Sequence, residues 1–490
     1  MNETSNAKSG WRIPRRVLIA LAILATLIAI FYTEEDWRGK RAWEKCKREL
    51  EAKGMVLDWE KFIPPSVPDD QNFFKAPKMT EWFVGRNRTN DLYLRMNDKK
   101  FAAINGSVGA SNLIATVASA KEYLAWSDQF EPGYDLMREA LKRPYTWMDG
   151  DYSRPYEIPI PNFGIMRVVA QTLAQRTHCF LMLGQPEKAL RELTLLNDSR
   201  RITEGAPTGK PMTLVASMIN VTITGLYVNT IADGLRKQVW REPQLAALQE
   251  QLAEINLVPF VLQSFESEPA AICRTLETAS LRKIMFVTSE TGSHRSVWQK
   301  VKDVIFNKYY LVPRGWVYQN MALTARLDHP RVEGFDLANN LILPGKFKEL
   351  ARQMDATFSG NAKPYNFLAA IDTPNITRAT QTLAHHQTLA NEAQIVCALE
   401  RYHLAHGEYP ETLDALVPQF IGKLPHDIIG GQPLHYRRID PPSQSSGAAS
   451  GKFLLYSVGW NETDDDGQTV LKPDGSEDWG KGDWVWGGAR

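Results

Sequence analysis

The chain has 490 residues, of which 43% are hydrophobic and 23% charged, with 57 basic against 56 acidic side chains. So even a balance leaves no global field, which argues against nucleic acid as a partner, while the length has room for two or three domains with substantial cores. Cys46, Cys179, Cys273 and Cys397 stand far apart with no C-x-x-C pair, so neither a zinc site nor a redox dithiol is signalled.

Residues 1–16, with Lys8, Arg12, Arg15 and Arg16, read as a short cytoplasmic N-terminus. From Val17 to Tyr32 runs V-L-I-A-L-A-I-L-A-T-L-I-A-I-F-Y, followed by Glu34-Glu35-Asp36. Those sixteen residues rise about 24 Å as a helix, slightly less than a hydrocarbon core of about 30 Å, so flanking residues complete a span. The A-x-A at Ala20-Leu21-Ala22 lies near the start of the run, and Phe31-Tyr32-Thr33 offers no small-x-small site at its end. The run is therefore expected to be an uncleaved, single-pass signal anchor rather than a cleaved leader. Basic residues do not settle its orientation: Arg38, Lys40, Arg41, Lys45, Lys47 and Arg48 follow the run and would lean the chain the other way.

Residues 33–80 read as a charged juxtamembrane helix over Trp37–Gly54, then a stiff linker at P64-P-S-V-P-D-D-Q-N72. Residues 81–350 read as a helical body. Phe101–Ala120 is uncharged but too rich in Ala, Gly, Ser and Asn for a second span, and Ser107 lacks the G-x-S-x-G setting of a nucleophile. Arg167–Gly184 and Gln185–Leu196 form two helices joined at L-G-Q-P-E and resemble a single tetratricopeptide-type hairpin, without a copy at fixed spacing. Met212–Ala232 carries no charge, yet its Asn, Ser and Thr residues suit a helix inside a bundle better than a span. Pro243–Ile255 and Pro269–Thr288 continue the helices, and Tyr310–Asn320 reads as an aromatic connection into another. The body with its V-P-D-D-Q-N segment is similar to uncharacterised membrane-anchored bacterial proteins, which implies no activity.

Residues 377–490 read as a small α+β unit. Leu389, Ala393, Val396, Leu399 and Tyr402 share one face of a long helix ended by Gly407. Pro410 suits the start of a short helix with Leu413, Leu416 and Val417 inside. P433-L-H-Y-R-R-I and F453-L-L-Y-S-V read as the strands of a hairpin lying on the long helix, joined by a Pro/Ser/Gly-rich loop at Asp440–Gly451. His385-His386 and His403/His406 lie about 26 Å apart along that helix, too far to share an ion, and are expected to be exposed polar positions.

Long helix, G407-E-Y-P, short helix, L424-P-H-D, G431-Q-P-L-H-Y, variable loop, L455-Y-S-V-G and an acidic turn together resemble the C-terminal domain of the major pseudopilin of type II secretion systems. The likeness covers the last quarter of the chain. It implies a calcium-binding loop after S-x-G, with Asn461, Asp464, Asp465, Asp466 and Asp483 as the matching metal ligands. The chemistry of the stretch suits that on its own. From Asn461 to Asp483 eight acids face two bases, a formal charge of minus six among glycines, and a hard cation takes about 6–8 oxygens from such a set. The helix–loop–helix calcium pattern fits worse, since its twelfth position falls on Pro473. Gly10 is followed by W-R-I-P-R, without the Glu with which pilins enter the membrane, so the resemblance extends to the domain and not to filament assembly.

The expected molecule is thus mainly α: an N-terminal transmembrane helix, a helical-bundle body and a pseudopilin-like cap of one long helix on an antiparallel hairpin. The reading is a non-catalytic interaction or scaffold protein of the inner membrane, its bulk on the periplasmic side and its cap stabilised by Ca2+. That side follows from the likeness to an exported module and from the tendency of long domains to translocate regardless of charge. Two alternatives remain: an envelope-associated hydrolase with its site in the helical body, and an accessory component of a type II secretion-like system.

Overall fold

The computed structural model describes residues 12–85, 91–96, 116–204, 213–279, 312–359, 363–372, 376–439 and 453–487. Ser107, Gly10 with Lys8, and the Asp440–Gly451 loop lie outside them. The molecule is mainly helical, with small antiparallel sheets toward the C-terminus and an exposed apolar helix at the N-terminus that could anchor in a membrane or serve as a signal sequence.

That first helix, α1, runs unbroken from Arg12 to Glu51, so the expected boundary between span and juxtamembrane helix at 32/33 is not a break in the backbone. No Pro or Gly interrupts the 17–36 stretch to cause one. The expected stiff linker is seated on the body at its end: Asn72 is fully buried, donates to the Trp147 carbonyl at 2.7 Å and accepts from the Trp147 N–H at 3.2 Å, while Phe73 and Phe74 enter the core.

The helices α2 (Met79–Val84), α3 (Asp91–Met96), α4 (Val117–Ser127) and α5 (Glu131–Ala140) lead into the hairpin of α6 (Phe163–Met182) and α7 (Pro186–Asp198), as the L-G-Q-P-E signal requires. Arg176 on α6 binds these elements together. Its guanidinium donates to Glu192 at 3.0 Å, Glu131 at 2.8 Å, Asp128 at 2.9 Å and Ser127 Oγ at 2.8 Å. Burial raises the Glu192 carboxyl, and Arg176 pulls it back toward ionisation.

The uncharged stretch becomes α8 (Leu214–Arg236), two thirds of whose apolar window is buried, a bundle helix as its Asn and Thr content suggests. After α9 (Glu242–Ala253), helix α10 spans Leu257–Thr278 and holds Pro269 in its interior rather than at its start. Likewise Arg314 already opens α11 (Arg314–Val332), inside the expected connection. A two-residue pairing of β1 (Phe335–Asp336) with β2 (Leu341–Ile342), α12 (Pro344–Phe358) and α13 (Phe367–Asp372) complete the body.

The long C-terminal helix, α14, spans Ile376–His406 and ends at Gly407 with φ of 79°, a conformation that favours glycine. It does not belong to a separate lobe. Leu383, Ala393, Val396 and Leu399 share one apolar core with Leu248 of α9, Tyr227 and Val228 of α8, and Leu173 of α6. A second, smaller core joins Trp43, Cys46 and Leu50 of α1 to Cys273 and Leu276 of α10 and Val317, Met321 and Ala325 of α11. The four cysteines are all buried thiols without a disulfide.

On α14 rests a three-stranded antiparallel sheet in the order β3 (His435–Arg438), β4 (Phe453–Ser457), β7 (Trp484–Val485). The hairpin is paired with Tyr436 opposite Leu455. The short helix expected from Pro410 is a single 3-10 turn, Leu413–Leu416, entered from Thr412, and Pro410 stays in the extended segment before it. Its carbonyl accepts from Tyr436 Oη at 2.7 Å. Asp427 of L-P-H-D is buried, accepting from Ile429 N and Val458 N, so that one carboxylate ties the turn to the end of β4. Within the stretch expected to be an acidic loop lies a further hairpin, β5 (Thr469–Leu471) with β6 (Glu477–Gly482), and β7 follows directly on it.

Candidate functional site

Three places in the fold carry chemistry beyond packing. The first is the junction where α1 leaves its apolar run. The residues from Val17 to Phe31 are exposed, Leu18 at 66% and Leu27 at 59%. Within one turn the same helix is buried: Glu35 is 5% exposed, its carboxylate accepting from Trp316 Nε1 at 2.9 Å and pairing with Arg38 at 3.0 Å. Asp36 accepts from the Gly315 N–H at 2.7 Å. α11 starts here and climbs parallel to α1, with Gly315 beside Gly39 and Ala322 beside Cys46, whose thiol donates to the Ala322 carbonyl at 3.4 Å. The backbones meet so closely that a Cβ on Gly39 would fall on the Gly315 backbone, and one on Gly315 on the Glu35 carbonyl. Higher on α11, Asp328 and Arg331 form a fully buried pair at 2.6 Å, with burial pushing the Asp328 carboxyl up to about 6.

The second is the acidic turn. Its expected ligands are near one another, but each carboxylate is engaged by different protein groups. Asp483, 2% exposed, accepts from the Asp465 N–H at 3.1 Å and the Gly467 N–H at 2.7 Å. Burial raises its carboxyl and those donors draw it back. Asp465 accepts from Asn461 Nδ2 at 2.8 Å. Asp464 accepts from the Asp466 N–H at 2.9 Å and from Tyr456 Oη at 3.1 Å, and lies 3.5 Å from His435. The Asp466 N–H, with the Tyr456 hydroxyl, holds the Asp464 carboxyl below its ordinary range. Burial, reinforced by Asp464, pushes the Tyr456 phenol up to about 12. Asp466 pairs with Arg437 at 3.2 Å, and Glu462 with Lys348 at 3.2 Å.

Among the described residues no three His, Cys, Asp or Glu side chains converge as a metal cage. In this arrangement protein donors hold the carboxylates of Asp464, Asp465, Asp466 and Asp483. The local count of minus six leaves out Arg437 of β3 and Lys348 of α12, which pair with Asp466 and Glu462.

The third was not foreseen. A groove of 1020 Å3 opens between α14, α8 and the β5–β6 hairpin. His385, expected to be exposed, is 6% exposed. Its ring stacks on Trp479 with centroids 4.1 Å apart, Trp484 meets it edge-on at 5.3 Å, and Glu477 Oε2 lies 3.8 Å from its Nε2. His386 presents its edge to Trp479 at 5.6 Å, with Nδ1 2.7 Å from the Thr382 carbonyl. Gln381, Arg378 and Asp478 stand at the rim. Nothing near His385 in the chain covers it; what buries it is a tryptophan almost a hundred positions away. The tail G480-K-G-D-W-V-W, dense in Trp among glycines, was the available signal.

A further cavity of 530 Å3, between the 53–65 segment and helices α10 and α11, has Glu266 as the one carboxylate in its wall among the described residues. No family model, curated protein or solved structure matches the chain.

Proposed function

We propose that this chain is a membrane-anchored scaffold, held outside the cytoplasm by the first half of α1 and offering the groove of the C-terminal cap to a partner. The observation that carries the reading is the continuity of α1. Among the described residues its apolar half has no protein neighbour that buries it, and its charged half, beginning at Glu35, is fastened into the body without a linker between. Apolar side chains left exposed all round a helix are stabilised by lipid. A leader removed near Tyr32 would cut within a turn of the Glu35 and Asp36 contacts that hold α11, which favours an uncleaved anchor.

Kinship of the cap to the pseudopilin domain belongs to the same reading. It is supported by the order of α14, Gly407, the 3-10 turn, the β3–β4 hairpin and the Asp427 tie. It also underlies the extracytoplasmic placement. Calcium is given no part in closing the acidic turn, because Asp464, Asp466 and Asp483 are already held there by protein donors. A hydrolase acting through two carboxylates draws no support from the 530 Å3 cavity and its single Glu266.

Alkaline extraction of membranes, followed by protease treatment of spheroplasts, tests both parts. Retention in the pellet together with digestion of the body from outside is expected. Release by alkali would remove the anchor, and protection of the body in intact spheroplasts would reverse the side.

A further inference from the structure

We propose that the groove between α14, α8 and the β5–β6 hairpin binds a neutral oligosaccharide, one of whose sugar rings stacks on Trp479. This rests on the reading of the groove as the seat of a partner, and it names that partner's chemistry.

The platform is an indole braced from behind. His385 and His386 have their ring centroids 4.1 Å and 5.6 Å from that of Trp479 and 5.5 Å from each other. Imidazoles on opposite faces of the indole would stand farther apart than that, so both lie toward one side of it. The other face of Trp479 carries no ring and no cation among the described residues, and the side chain is only partly buried where it lines the groove. Because His385 beneath it is buried, the ring is already fixed and little side-chain freedom is lost when a ligand settles on it. A sugar ring offers a face of C–H groups that packs on such a π surface, with its hydroxyls left at the rim.

Hydrogen-bonding groups flank the platform. Gln381 of α14 reaches the hairpin at Gly480, where a Cβ would lie 3.3 Å from its Nε2, and Asn229 lines the groove from α8. Neither carboxamide has a hydrogen-bond partner among the described residues. Each holds a donor and an acceptor side by side, which is what neighbouring sugar hydroxyls match. Among the charged lining residues Arg378 and Lys472 balance Glu477 and Asp478, so the groove has no net charge with which to select an ion. Its wall follows α14 from Thr377 to Leu389, about 18 Å of helix, a length that suits an extended chain of rings rather than one.

The test titrates the full chain, held in a polyoxyethylene detergent that itself carries no sugar, with β-linked tetramers of glucose and of N-acetylglucosamine by isothermal titration calorimetry. Binding of at least one tetramer is expected, about tenfold weaker in Gln381→Ala and in Asn229→Ala, and unchanged in Gln263→Ala, a carboxamide outside the groove. Trp479→Ala is expected to abolish binding; since that change also uncovers His385, its thermal unfolding is compared, and Trp479→Phe, which keeps a ring on His385, is expected to retain weakened binding. No binding of either tetramer, or equal loss in the Gln263 variant, would overturn the proposal. Binding of a peptide of balanced charge in place of both sugars would overturn it too, while leaving the groove as a partner's seat. Release of the chain from alkali-treated membranes would sink the anchor reading and leave the sugar result standing, so the two failures are distinguishable.

Discussion

The two halves of α1 reverse the usual relation between polarity and burial. From Val17 to Phe31 the helix carries the densest apolar run of the chain and exposes it; from Glu35 to Leu50 it is rich in charge, yet Glu35, Trp43, Cys46 and Leu50 are buried against α11. Within one continuous helix, the difference lies in what covers it. The second half has a neighbour whose glycine admits its backbone and whose indole and N–H satisfy its acids, so its polar groups are buried with partners. Among the described residues nothing buries the first, which meets the Trp316 edge only at its last residue, Phe31, and a solvent of hydrocarbon is what its composition matches.

The comparison can be broken most forcefully at the glycine contact. Gly315→Leu places a side chain where the Glu35 carbonyl already lies, and thermal unfolding in detergent is expected to lose about 3 kcal/mol. Leu24→Ala in the exposed half is expected to change stability by less than about 0.5 kcal/mol, as exposed substitutions do. Equal effects would mean that the halves are not in different surroundings.

Next comes the pH response of the buried Asp328. Its carboxyl has a folded value of about 6 against an ordinary 3.8, so the folded state holds a proton that the unfolded state releases. The stability this contributes is fully present below about 3.8, is lost as pH rises through about 6, and is flat above that. Denaturant titrations between pH 4 and 7 should show that fall, and Asp328→Asn should flatten it; an unchanged slope in the variant would assign it elsewhere.

Glu35→Ala leaves the Trp316 Nε1–H without its acceptor and is expected to cost about 2 kcal/mol. In the cap, Asp483→Ala frees two N–H groups and is expected to cost about 1–2 kcal/mol, whereas Asp466→Ala, with an exposed pair to Arg437, stays within about 0.5 kcal/mol. Millimolar Ca2+ is expected to leave the melting temperature of the full chain unchanged. A rise that Asp466→Ala abolishes would show the turn rearranging around an ion.

These contrasts also mark what the sequence could reveal. Local periodicity exposed α6, α7 and α14, and β-rich runs exposed β3 and β4, because each signal is carried by residues a few positions apart. The Gly315 N–H to Asp36 bond closes over 279 positions, and nothing in either segment announces the other. The partners of the acidic turn were hidden for the same reason. Its charge is visible in one stretch, while Arg437 and Lys348, which pair with Asp466 and Glu462, lie on β3 and α12. His385 looked exposed because the covering Trp479 arrives from the far end of the chain.

The intact mass of the chain recovered from alkali-washed membranes tests the tether most directly. A mass that includes Val17 to Phe31 is the expected result, since the exposed half of α1 is then what the bilayer holds. A mass short of the first thirty or so residues, or a chain found only in the wash, would contradict it.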